Sequence, residues 1–66
     1  MRLLRRPEVQ RMTGLSRSTI YRLISEDQFP PPVSLGGNSV AWIEHELEQW
    51  ILERIEQRDL ALDRNA

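Results

Sequence analysis

Apolar positions recur along the chain with helical spacing in three stretches and with strict alternation in one region between them. Val9 and Met12 lie three apart behind Pro7 and Glu8, which predicts a short first helix from about Pro7 to Met12 or Thr13. Proline suits the first helical position because its missing N–H would have no partner there, and Glu8 meets the positive end of the helix dipole. Gly14 follows, a residue that can take the left-handed conformation that ends a helix. Ile20, Leu23 and Ile24 then follow i, i+3, i+4 spacing and predict a second helix beginning near Arg17. Ser16 can cap it, and Leu15 with Ile20 forms the hydrophobic-staple pair around that cap. The prolines at 30–32 cannot continue a helix, so this one ends near Asp27. Two helices joined by Thr13-Gly14-Leu15-Ser16 match the helix-turn-helix plan.

The next stretch changes period. Val33 and Leu35 alternate with Ser34, and Val40 and Trp42 alternate with Ser39 and Ala41, around the tip Gly36-Gly37-Asn38. That pattern predicts a two-stranded antiparallel hairpin, which must pack on the helices because a lone hairpin is only marginally stable. A last helix starts near Ile43 or Glu44, with Leu47, Trp50, Ile51 and Ile55 on one face. The expected architecture is mostly α with a small β-hairpin wing: three helices and a two-stranded hairpin over residues 1–57. Residues 58–66 form a tail that extends the helix or frays. Ile55 and Leu62 lie seven apart, but one heptad is slender support for a dimer seam, and fraying is the reading preferred on pattern alone. Phe29, Trp42 and Trp50 read as core in so short a chain.

Composition narrows the chemistry. The 66 residues include no cysteine and one histidine, so neither a disulfide nor a zinc site of the usual ligands can support a small core. No apolar run approaches the roughly 20 residues needed to span a membrane, and the first residues lack the apolar region of a secretory signal, so a cytoplasmic protein is expected. No nucleophile stands at known spacing from a base, and no phosphate loop or metal cluster is visible; neither an enzyme nor a cofactor is expected. The formal net charge is −1, but it is unevenly spread. Residues 1–43 carry six arginines against three acidic side chains, and residues 44–66 carry three against seven. All nine basic residues are arginine, whose planar fork suits phosphate and guanine edges.

The second helix is where this chemistry gathers. Ser18, Tyr21, Arg22 and Ser25 fall opposite its apolar stripe, and Arg17 stands at its leading edge. Arg17 and Arg22 can donate paired bonds to guanine or single bonds to phosphate, and Ser18 and Thr19 can bond phosphate or base edges. Tyr21 can reach phosphate with its hydroxyl while its ring flanks the core. Arg17 and Ser18 are expected deepest in the groove, with Arg22 towards the backbone. Ser16 and the open N–H groups of the first turn also favour an anion.

The run Arg2-Leu3-Leu4, Glu8-Val9 and Thr13-Gly14-Leu15-Ser16-Arg17-Ser18-Thr19-Ile20-Tyr21-Arg22-Leu23-Ile24 is similar to the AlpA-type prophage regulators. Phe29-Pro30, Pro32-Val33, Leu35-Gly36, Val40-Ala41-Trp42, Glu46-Leu47 and Trp50-Ile51 continue the likeness, over about residues 2 to 55. That family resembles phage excisionases and the MerR-like winged helix proteins. The resemblance implies a winged helix-turn-helix that binds double-stranded DNA and regulates prophage or integrative-element genes, sometimes assisting excision. It adds Arg6 and the wing tip, Gly37, Asn38 and Ser39, to the expected contacts. It also implies self-association on DNA, in tandem or head-to-tail, and contact with an integrase or RNA polymerase. Two departures stand out. Family members often carry a basic residue at the wing, where this chain has none, and the last helix is strongly acidic. A protein-interaction module built on a helix-turn-helix therefore remains an alternative, separable from a DNA binder by salt-dependent binding.

Overall fold

The computed structural model describes residues 1–64. Its elements are β1 (Leu3–Leu4), α1 (Arg6–Thr13), α2 (Arg17–Ser25), β2 (Val33–Gly36), β3 (Ser39–Ile43) and α3 (Glu44–Arg64). The helices, the turn between α1 and α2 and the hairpin wing form a winged helix-turn-helix, as expected. The sheet has three strands rather than two, in the order β1-β3-β2. Leu3 pairs with Ile43 and Leu4 with Trp42, antiparallel, and the Glu44 N–H donates to the Arg2 carbonyl at 2.9 Å. This pairing covers the edge of β3 that the hairpin leaves open, which would otherwise present unpaired backbone groups.

The core is made by one residue or two from each element it joins: Leu4, Val9, Ile20, Phe29, Trp42 and Leu47. Leu15, Leu23, Ile24, Val40 and Trp50 pack around it. Both indoles also use their polar edge. Trp42 Nε1 donates to the Pro30 carbonyl at 2.9 Å, and Trp50 Nε1 donates to the Gln28 carbonyl at 2.7 Å. Phe29 lies edge-on to Trp50 at 4.8 Å. The proline elbow is thus tied down at two carbonyls and plugged between them.

Helix α2 stops at Ser25, before the prolines act. Glu26 is its cap, Asp27 takes φ 57°, the Gln28 N–H reaches back to the Leu23 carbonyl at 2.8 Å and the Asp27 N–H to the Ile24 carbonyl at 3.1 Å. This is a Schellman ending built on a non-glycine left-handed residue. In the hairpin, Gly36 pairs with Ser39 across a bulge that leaves Leu35 unpaired, so the tip shrinks to Gly37-Asn38. Gly37 alone of those two has positive φ, at 56°, the pattern of a type II′ turn. The hairpin meets the body through β3; β2 is exposed along its whole length. Helix α3 continues through the region where fraying was expected, as far as Arg64; residues 65 and 66 of that tail lie outside the described residues.

Candidate nucleic-acid interface

Local chemistry sets the leading end of α2. The Ser16 hydroxyl accepts from the Thr19 N–H at 3.2 Å and donates to the Thr19 hydroxyl at 2.9 Å, and its oxygen lies 3.3 Å from that of Ser18. Three hydroxyls therefore cluster at the helix start, with Ser16 engaged in capping. The N–H groups of Arg17 and Ser18 have no intrahelical acceptor there, as at any helix start.

The outward face is open: Arg17, Ser18, Tyr21, Arg22 and Ser25 are all exposed. The guanidinium of Arg17 stands over the Tyr21 ring, 5.9 Å from its centroid. Tyr21 in turn meets fully buried Trp42 edge-on, with ring centroids 6.4 Å apart. A rigid core residue thus supports a tyrosine, and the tyrosine supports the leading arginine. Arg22 points further along the helix and pairs with Glu26 at 3.2 Å, an exposed contact between neighbouring turns. Among the described residues, Arg17 makes no ion pair.

The remaining expected contacts form a second group. Gly37 and Asn38 are exposed and Ser39 is half-buried at the wing. Arg6 lies beside them rather than on α2: Arg5, Arg6, Pro7, Asn38 and Val40 line one surface cleft of about 410 Å³. The strand register explains this, since the chain leaving β1 runs alongside β3 towards the tip. The Nε of Arg6 is buried with no acceptor among the described residues. Arg5 was missed by sequence reasoning. Its place beside the wing depends on β1, a two-residue strand with no periodic signal. The wing strands carry no charge of their own, but two guanidinium groups flank them.

Chemically, the first group can donate from Arg17, the hydroxyls of Ser18, Thr19 and Tyr21, and two backbone N–H groups at the helix start. The second can donate to an anion from two arginines and an amide. Such donors suit phosphate oxygens and the acceptor-rich edges of bases.

A family model described as Prophage CP4-57 regulatory protein (AlpA) matches residues 2–55, which include every element through the first half of α3. An uncharacterized protein, ORF88, of Enterobacteria phage P4 is 53% identical over 62 residues, 94% of this chain and 70% of that protein. The DNA-binding transcriptional activator AlpA of Escherichia coli K12 is 38% identical over 60 residues, 82% of this chain and 86% of that protein. The match spans the helix-turn-helix, the wing and the indole-pinned elbow together, and the chain belongs to the AlpA family of prophage regulatory proteins.

Proposed function

We propose that this protein is a sequence-specific, double-stranded-DNA-binding regulator of transcription. It acts on prophage or integrative-element genes and assists excision where an integrase is its partner. RNA polymerase is the partner where it acts at a promoter. The observation that carries the reading is the open leading end of α2, with Arg17 held over Tyr21 and free of carboxylate partners among the described residues. A relative, the AlpA of Escherichia coli, bears the name of a DNA-binding transcriptional activator.

In this reading α2 enters the major groove. Arg17, supported by the Tyr21 ring, and Ser18 address base edges, Thr19 and Arg22 lie towards the backbone, and Arg5, Arg6 and Asn38 take the phosphates beside the wing. The test is selection of bound duplexes from a random pool, followed by titration at several salt concentrations. With about four phosphates neutralised, the log–log slope should lie near −3.6. No enrichment of any sequence and no retardation at low salt would overturn the reading in favour of a protein-interaction module.

A further inference from the structure

Helix α3 has 21 residues, about 31 Å of rise, in a molecule 50 Å long but only 25 by 19 Å across. Its first half is anchored by buried Leu47 and half-buried Trp50 and Ile51. Its second half has no such anchor: Ile55, Leu60 and Leu62 are exposed, from 39% at Ile55 to 61% at Leu60. Isolated helices shorter than about 12–15 residues are marginal in water, so an extension of this kind gains most of its stability from a partner.

The distribution of side chains says what that partner is. At helical spacing Ile51, Ile55 and Leu62 form one line. Arg58 borders it between Ile55 and Leu62, and Arg54 flanks it on the same side; Glu56, Asp59 and Asp63 flank it on the other, and Leu60 lies off the stripe. A shallow groove continues the line onto α1, where exposed Met12 sits with Ile51, Ile55 and Arg58.

We infer that this face pairs with the same face of a second copy, with the two α3 helices parallel. The orientation follows from symmetry. A twofold axis along the pair sets each arginine flank against the partner's acidic flank. An antiparallel pair would set arginine against arginine and carboxylate against carboxylate. Asp59 follows Arg54 by five residues, the offset at which flanking residues meet across a parallel pair. Within one chain Arg58 contacts Asp59 at 3.0 Å, with both side chains more than half exposed, a contact weak enough to be exchanged. Leu47 and Trp50 lie on the arginine side of the helix, so the two bodies fall on opposite sides of the pair. This gives the self-association implied by the family resemblance a surface and a geometry. Twofold-related α2 helices would read an inverted repeat, not a tandem array.

The test needs no DNA, so its failure is separate from any failure of the DNA-binding reading. Sedimentation equilibrium of the full chain should show a concentration-dependent dimer. Asp59→Arg should weaken it about tenfold, and adding Arg54→Asp to that variant should restore it. The chain has no cysteine. Under mild oxidation Ile55→Cys should therefore cross-link to itself, while Gln57→Cys, on the opposite face, should not. A monomer at all concentrations, equal cross-linking of the two cysteine variants, or no rescue by Arg54→Asp would overturn the inference. Circular dichroism of each exposed-site variant separates loss of pairing from loss of fold.

Discussion

Tyr21 offers the sharpest test of how the proposed DNA face is built, because its ring and its hydroxyl imply different roles. The ring lies between Trp42 and Arg17, and the residue is 37% exposed. Replacement by alanine removes an edge-on aromatic contact, about 0.5–1.5 kcal/mol, and a cation–π contact, about 0.5–1 kcal/mol at an exposed site. Stability should fall by about 1–2.5 kcal/mol, read from urea unfolding. Only the second contact bears on Arg17, so DNA affinity should fall about two- to fivefold in fluorescence anisotropy at temperatures where the variant is fully folded. Tyr21→Phe keeps both contacts and should change stability and affinity little. A double-mutant cycle with Arg17→Ala should give a coupling of about 0.5–1 kcal/mol, since Tyr21 then has no arginine left to hold. If Tyr21→Phe loses as much affinity as Tyr21→Ala, the hydroxyl is the working group and the stack plays no part; a cycle with zero coupling refutes the support of Arg17 by the ring.

Four further outcomes follow from the same geometry. Arg17→Ala should cost about 1–3 kcal/mol on the selected sequence and relax preference at one base pair, while Arg22→Ala should weaken matched and mismatched duplexes alike; equal losses on every sequence for both would remove base reading from Arg17. Glu26→Gln releases Arg22 from its pair and removes a nearby negative charge, so DNA affinity at low salt should rise, by a factor that shrinks as salt is added. Asp27→Gly relieves a left-handed residue of a cost of about 1 kcal/mol and should raise the midpoint of thermal unfolding by about 4–8 °C; a fall would refute the Schellman account of that turn. Arg5→Ala should make the salt slope of DNA binding shallower by about 0.9 without altering base preference, and an unchanged slope would exclude a phosphate at the wing cleft.

What was legible in the sequence was local. Ser16, Leu15 and Ile20 mark the start of α2 within six residues of chain, and the cap and packing observed are the ones those residue types favour. The hairpin was legible because its glycines sit where the turn needs them. The third strand was not, because Leu3-Leu4 is too short to show a period and pairs with residues about forty positions away. With β1 unseen, the place of Arg5 beside the wing was unseen too. The end of α2 was placed near Asp27 by appeal to the prolines, whereas the observed stop is a capping motif two residues earlier in the helix. The stack of Arg17 on Tyr21 left a signal that could have been used: the two are four apart on a helix, where side chains meet.

Net charge is a poor guide to this molecule because the carboxylates are not spread over the surface that matters. Arg2 holds both Glu8 and Glu44, at 3.2 and 2.8 Å, so two acidic groups near the N-terminal strand are matched by one arginine. Among the described residues Arg5, Arg6, Arg11 and Arg17 then make no ion pair, and they belong to the helix-turn-helix and the flank of the wing. Most of the acidic side chains lie on α3, where one flank of the bare stripe is acidic and the other basic. The same segregation therefore has two consequences: it leaves a donor-rich face on the N-terminal body and makes the C-terminal helix complementary to itself. A single module of this kind buries only roughly 600–1,000 Å² against DNA. Joining two of them through α3 converts the second encounter into an intramolecular one, so modest contacts at each α2 are sufficient for a stable complex on a paired site.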